Sequence, residues 1–188
     1  MVDEEKFKRY LENLPKSKRR HASFFDYPDK QVKELGIMNE FVVQLENMGN
    51  AKIIDWEPGE DPPDIKATDL NGNFIGIEIT ELVNQRAVEK EIQRNPEYYK
   101  EYFSWDEEKV RTKILDIVET KNRKLDRLPD RYRSIVLLIH TDEPFLSSDK
   151  LIDYLKSVPK PEDLVLSDCY VLVAYEPQKG GYTLIKVF

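Results

Sequence analysis

Apolar residues run unbroken through Ile135-Val136-Leu137-Leu138-Ile139. This fits a strand over Ser134–His140 covered on both faces, rather than one alternating between core and water. Elsewhere the spacing is helical. Between Asp29 and Met48, the residues Leu35, Met38, Phe41, Val42, Leu45 and Met48 share one stripe of a wheel turning about 100° per residue. Asp29 is placed to cap this helix and Gly49 to stop it. A second stripe, Val110, Ile114, Ile117, Val118, Leu125 and Leu128, predicts a helix over 105–127.

Shorter signals fill the rest of the chain. A charged helix over 4–13 ends near Pro15, and an irregular arm over 15–28 carries Phe24, Phe25 and Tyr27. A strand over Ala51–Trp56 precedes an acidic loop, Glu57–Pro63. Two strands, Asp64–Leu70 and Phe74–Thr80, flank Asn71-Gly72-Asn73, a hairpin signal. A helical segment over 84–102, interrupted by Pro96, follows. A short helix over 148–157 leads to the strands Cys169–Tyr175 and Tyr182–Val187, joined through Gly180-Gly181. The order predicts an α/β protein with helices on a mixed sheet. At 188 residues and 40% hydrophobic, it reads as one domain: arm 1–28, core 29–140 and C-terminal extension of the sheet 141–188.

The candidate chemistry lies in the hairpin. Asp61-Pro62-Pro63-Asp64 opens its first strand and Glu78-Ile79-Thr80 ends its second. Two converging carboxylates suit a hard divalent cation, Mg2+ or Mn2+, which binds through one or two carboxylates with waters and phosphate oxygens. Convergence demands a particular register. A two-residue Asn71-Gly72 turn would send the two acids to opposite faces, so a three-residue connection setting Leu70 against Phe74, or a bulge, is expected.

Pro63-Asp64 followed by Glu78-Ile79-Thr80 resembles the PD-(D/E)XK nuclease superfamily, whose pattern is an acid after proline and then acid-x-lysine on the next strand. The α-β-β-β-α-β order over residues 29–140 resembles its restriction-endonuclease-like core. The resemblance implies Asp64 and Glu78 as metal ligands and catalytic residues. Thr80 stands where the lysine is usual. Lys121, central on the second helical stripe, is the first choice for a lysine that has moved, with Lys124 and Lys113 behind it. The resemblance also implies a helical glutamate beside the metal. Glu34, near the middle of the first stripe, is the candidate and Glu40 the alternate; the competing reading leaves Glu34 exposed in the first turn. A snorkelling, structural Lys121 stays open as well.

Charge pulls the other way. The net charge of −7 lacks the basic footprint common in nucleic-acid binders. Lys16-Ser17-Lys18-Arg19-Arg20-His21 is a local exception that could touch phosphate but is read first as a solvated linker. Asp55, Glu57, Glu60 and Asp61 are read as a solvated acidic loop rather than a second metal site. Tyr98, Tyr99, Tyr102, Phe103 and Trp105 are read as packing rather than base-stacking groups. One cysteine, Cys169, excludes an intramolecular disulfide, and two histidines argue against zinc. No run approaches the roughly 18 apolar residues of a membrane helix, and the first residues lack a signal-peptide layout, so a cytoplasmic location is expected. The expected activity is Mg2+-dependent hydrolysis of nucleic acid, DNA ahead of RNA, by a chain that admits a homodimer. The alternatives are an inactive nuclease-like protein working through protein–protein contacts, and an unrelated α/β binding domain with Asp64 and Glu78 as surface acids.

Overall fold

Asp69 organises the turn of the acidic hairpin. Its Oδ1 accepts from the main-chain N–H groups of Asn71 and Asn73, both at 2.8 Å, and its Oδ2 from the Asn73 amide at 2.9 Å. Gly72 N donates to Asp69 O at 3.0 Å, and Gly72 has a φ of +79°. This is a type I turn followed by a left-handed residue, the usual three-residue hairpin loop. The loop is Leu70-Asn71-Gly72, closed by Asp69 N donating to Asn73 O at 2.9 Å. It therefore starts one residue earlier than the expected Leu70–Phe74 closure. The Asp69 carboxylate supplies acceptors that Leu70 lacks, and glycine falls at the position needing positive φ.

The computed structural model describes residues 30–50, 53–83, 105–126, 128, 131–143, 145–156 and 158–188. The expected helix over 4–13, the arm over 15–28 with its basic stretch, the Asp29 cap, the segment over 84–102 and the aromatic residues from Tyr98 to Phe103 lie outside these.

Strands β1 (Ile53–Pro58), β2 (Ile65–Asp69), β3 (Phe74–Glu81), β4 (Tyr132–Thr141), β5 (Asp168–Glu176) and β6 (Gly181–Lys186) form one sheet in chain order. The first three pair antiparallel, β3–β4–β5 are parallel and β6 returns antiparallel to β5. Among the described residues three helices accompany the sheet: α1 (Lys30–Asn47), α2 (Glu107–Leu125) and α3 (Ser148–Leu155). β1 ends at Pro58 rather than Trp56 because pairing with β2 carries on to Pro58 opposite Ile65.

The two faces bury different helices. Met38, Phe41 and Leu45 of α1 pack on Ile65, Ile77, Ile79, Val136 and Leu138. Val110, Ile114, Val118 and Leu125 of α2 pack with Leu151 of α3 on Leu82, Ile135, Leu137, Ile139 and Val171. Alternate residues of β4 thus enter opposite cores, which explains the continuous apolar run. The predicted stripes largely match the buried faces of α1 and α2, with Ile37 added to the first; Leu35 and Ile117 are half-buried, Leu128 lies past the end of α2, and Met48 is exposed beyond the end of α1. There Gly49, with a φ of +73°, closes the helix as Asn50 N donates to Leu45 O at 2.9 Å. α2 begins where the Asp106 side chain accepts from Lys109 N.

Candidate functional site

A tight reversal carries the chain from β1 into β2. Gly59 N donates to Asp64 O at 2.8 Å, and Asp61 N donates to Pro63 O at 3.1 Å. The peptide bonds before Pro62 and Pro63 are cis, and Asp61 takes a φ of +41°, a region aspartate tolerates better than most residues. Glycine is required at 59 for space: a Cβ there would lie 2.0 Å from the Pro63 carbonyl oxygen. The loop sets the Asp61 and Asp64 side chains at the start of β2.

In the hairpin Ile65 faces Ile77 and Lys66 faces Gly76, so one more step of the register puts Asp64 opposite Glu78. The even register required for convergence is present. Where the β2 ladder stops, the Asp64 carboxylate takes over as acceptor: Oδ2 receives the Ile79 N–H at 2.8 Å. Its Oδ1 lies 3.2 Å from Lys30 Nζ, and the side chain is 3% exposed. Glu78 is wholly buried on the face covered by α2. Its Oε1 accepts from Lys121 Nζ at 2.8 Å and Lys124 Nζ at 2.9 Å. Its Oε2 has no hydrogen-bond partner among the described residues.

These contacts join into one ionic chain. Lys30 Nζ also lies 3.3 Å from Glu34 Oε1 and 3.3 Å from Asp61 Oδ2. Lys124 Nζ lies 2.9 Å from Asp61 Oδ1. Asp61 therefore bridges α1 on one face of the sheet to α2 on the other. A cleft of about 300 Å³ opens beside it, lined in part by Lys30, Glu34, Asp61 and Asp64.

Electrostatics follow from this crowding. Burial and the neighbouring Asp64 charge hold the Glu34 carboxyl above the usual carboxylate range, with Lys30 pulling partly the other way. Burial opposes the charge of Lys30, but hydrogen bonds and attraction from Asp64 and Glu34 outweigh it and raise its pKa. Lys124 is raised in the same sense, with burial overcome by Asp61 and Glu78. Asp61 is held below its ordinary value, first by the Lys124 hydrogen bond and then by Lys30.

The sequence-derived candidates Asp64, Glu78, Lys121 and Glu34 all stand in this chain, and Glu34 is the α1 carboxylate that meets Lys30. The cations on Glu78 are Lys121 and Lys124 together. Thr80 shares the Glu78 face and pairs with Ile139 of β4. The sequence reading missed Lys30 and gave Asp61 to solvent. Lys30 had a signal, its position one turn before Glu34. Asp61 had none, because its partners lie on two helices remote in sequence. The other loop acids are taken singly: Glu57 by Lys66 at 2.7 Å, Glu60 by Arg131 at 2.5 Å, and Asp55 by the Trp56 N–H at 2.9 Å.

Among the described residues no three histidine, cysteine, aspartate or glutamate side chains group as a metal site. Of the two acids, Asp64 has both oxygens engaged, by Lys30 and by the Ile79 N–H, whereas Glu78 keeps Oε2 without a partner among the described residues. Cys169 is buried, its thiol pushed up to about 12 by burial and the nearby Asp168 charge. No helix among the described residues is long and apolar enough to cross a membrane.

Fold and site together define an α/β protein with a lysine–carboxylate cluster at the start of the second strand of its mixed sheet. Comparison with protein-family models, with curated proteins and with solved structures returns no match.

Proposed function

We propose that this protein is a metal-dependent nuclease of the PD-(D/E)XK kind, hydrolysing phosphodiester bonds with Mg2+ or Mn2+. One observation carries the reading: the buried Glu78 carboxylate, one register step beyond the Ile65–Ile77 pair, has two lysines on Oε1 and no partner for Oε2 among the described residues. A buried acid so arranged is costly unless something further compensates it.

Asp64 and Glu78 are the residues that would hold the ion, which when bound supplies a more acidic coordinated water and neutralises charge at the phosphate. The Ile79 N–H fixes the Asp64 carboxylate against rotation. Lys121 supplies the cation missing at Thr80, placed to orient the attacking water and offset charge in the transition state. Lys124 holds the other side of Glu78 Oε1. Glu34 backs Asp64 through Lys30 and is placed to support a water there. The Thr80 hydroxyl can hydrogen-bond water but brings no charge.

Calorimetric titration with Mn2+ and Mg2+, beside cleavage assays on DNA and RNA, tests the reading. Binding and cleavage should both vanish in Asp64→Asn and Glu78→Gln. An intact fold that takes no metal at millimolar concentration would overturn it.

A second reading has its own support. Asp64 and Glu78 each already hold lysine, and the chain carries a net charge of −7. A cluster neutralised from within suits an inactive nuclease-like protein that works through protein–protein contacts. Metal binding without cleavage of any nucleic acid would favour it.

A further inference from the structure

We infer that Lys30 and Lys124 form a second phosphate subsite, and that the Asp61 carboxylate holds it in place of a backbone phosphate. The inference rests on the nucleic-acid reading above and specifies its substrate: a strand presenting at least two phosphates, one at Asp64 and Glu78 and a neighbour between the two lysines.

Asp61 is held from two sides. Its two oxygens go to different lysines, Oδ2 to Lys30 at 3.3 Å and Oδ1 to Lys124 at 2.9 Å. A phosphodiester likewise carries one negative charge over two oxygens, so it satisfies the same pair of cations without changing the local charge. Each lysine is also anchored by an acid that cannot leave. Lys30 is tied to Asp64 and Lys124 to Glu78, whose side chains are 3% and 0% exposed. Asp61 is different, with a side chain 58% exposed on a loop, and Lys30 and Lys124 are themselves 66% and 40% exposed. An incoming phosphate can therefore reach both ammoniums and displace Asp61 into water, where its charge is solvated cheaply. The lysines stay in position because their buried partners hold them.

The position suits a strand as well. The lysines come from helices on opposite faces of the sheet, and the open cleft lies against Lys30 and Asp61. Asp61 thus weakens affinity for polyanions by competing for the subsite. This gives the chain's net acidity a local consequence: the cations of the site are real but already engaged.

The test is Asp61→Asn, since asparagine accepts the same left-handed backbone. Binding of a short labelled single-stranded oligodeoxynucleotide is measured by anisotropy in EDTA, with a mononucleotide as comparison and circular dichroism confirming the fold. The variant should bind the oligonucleotide about five- to tenfold more tightly than wild type, the order expected on removing one exposed unit charge at contact distance. The mononucleotide should gain much less. Adding Lys30→Met and Lys124→Met should cancel the gain and lower the salt slope by roughly 0.7 for the lost phosphate contact.

Unchanged or weaker oligonucleotide binding in a folded Asp61→Asn protein overturns the subsite, even if wild type cleaves nucleic acid with Mg2+. Equal gains for mononucleotide and strand overturn the two-phosphate substrate. Tighter binding without cleavage sustains the subsite while the nuclease reading falls. If Asp61→Asn unfolds, Asp61→Ser is read in the same assay by the same criteria.

Discussion

Lys121 Nζ stands 2.8 Å from Oε1 of Glu78, a residue forty-three positions earlier in the chain. Lys124, one turn further along α2, meets the same oxygen at 2.9 Å. One buried carboxylate oxygen thus draws together the last turns of a helix and the middle of a strand.

That redundancy predicts strong non-additivity. Lys121→Met keeps the apolar stem and leaves Lys124 on Glu78, so unfolding stability should change by about 1 kcal/mol. The Lys121→Met, Lys124→Met double variant strands a fully buried charge and should cost about 3–5 kcal/mol. Urea denaturation of the two singles and the double reads the coupling. Under the nuclease reading the single Lys121→Met already lowers turnover on the order of 10²-fold or more. Additive, small stability losses would show that the Glu78 pairing is not what the geometry implies.

Asp64 has two separable jobs, one charged and one purely as an acceptor. Asparagine retains an oxygen for the Ile79 N–H, while alanine leaves that buried donor unpaired. Asp64→Ala should therefore be less stable than Asp64→Asn by about 1–3 kcal/mol. Thermal melts with metal chelated make the comparison, and equal melting temperatures would count against it.

His140 predicts an acid-sensitive fold. Burial, then the nearby Lys33 charge, pushes its pKa down to about 3 from an ordinary 6.5. The unfolded chain takes up this proton before the native protein does. The stability contributed is complete above about pH 6.5 and is lost as pH falls toward about 3, at most about 1.4 kcal/mol per pH unit. Asp61, held low by its lysines, adds loss in the same direction at the acid end. Denaturation midpoints of wild type and His140→Gln across this range isolate the histidine, because the variant should show the shallower slope. Parallel slopes would refute the assignment.

Gly59 predicts a steric lesion near the acids. A methyl group there would meet Pro63 O at 2.0 Å and its carbonyl carbon at 2.9 Å, and backbone cannot swing aside as a flexible side chain can. Gly59→Ala should cost about 1–3 kcal/mol and displace Asp61 from Lys30 and Lys124. Thermal unfolding reads the first effect and a crystal structure of the variant the second.

Among the described residues, the primary structure alone determined the strands, the helices and the buried faces of the two long helices. Met38, Phe41 and Leu45 specify the inner face of α1, and Val110, Ile114 and Val118 that of α2, because helical spacing is a local property. The unbroken run in β4 announced a strand covered on both sides. Parity of the hairpin register was also expected, from a requirement that Asp64 and Glu78 share a face, and the even register is present, whereas the exact closure depended on the Asp69 carboxylate. Lys121 could be singled out because a charge amid an apolar stripe needs a partner. What that partner was, and that Lys124 shares it, depended on how α2 lies across β3. Lys30 and Asp61 became visible only once the sheet brought α1, the reversal at Gly59 and α2 to one end. Periodicity along a chain encodes which face is buried; ion pairs between residues sixty positions apart are decided by tertiary packing, because nothing local constrains their distance.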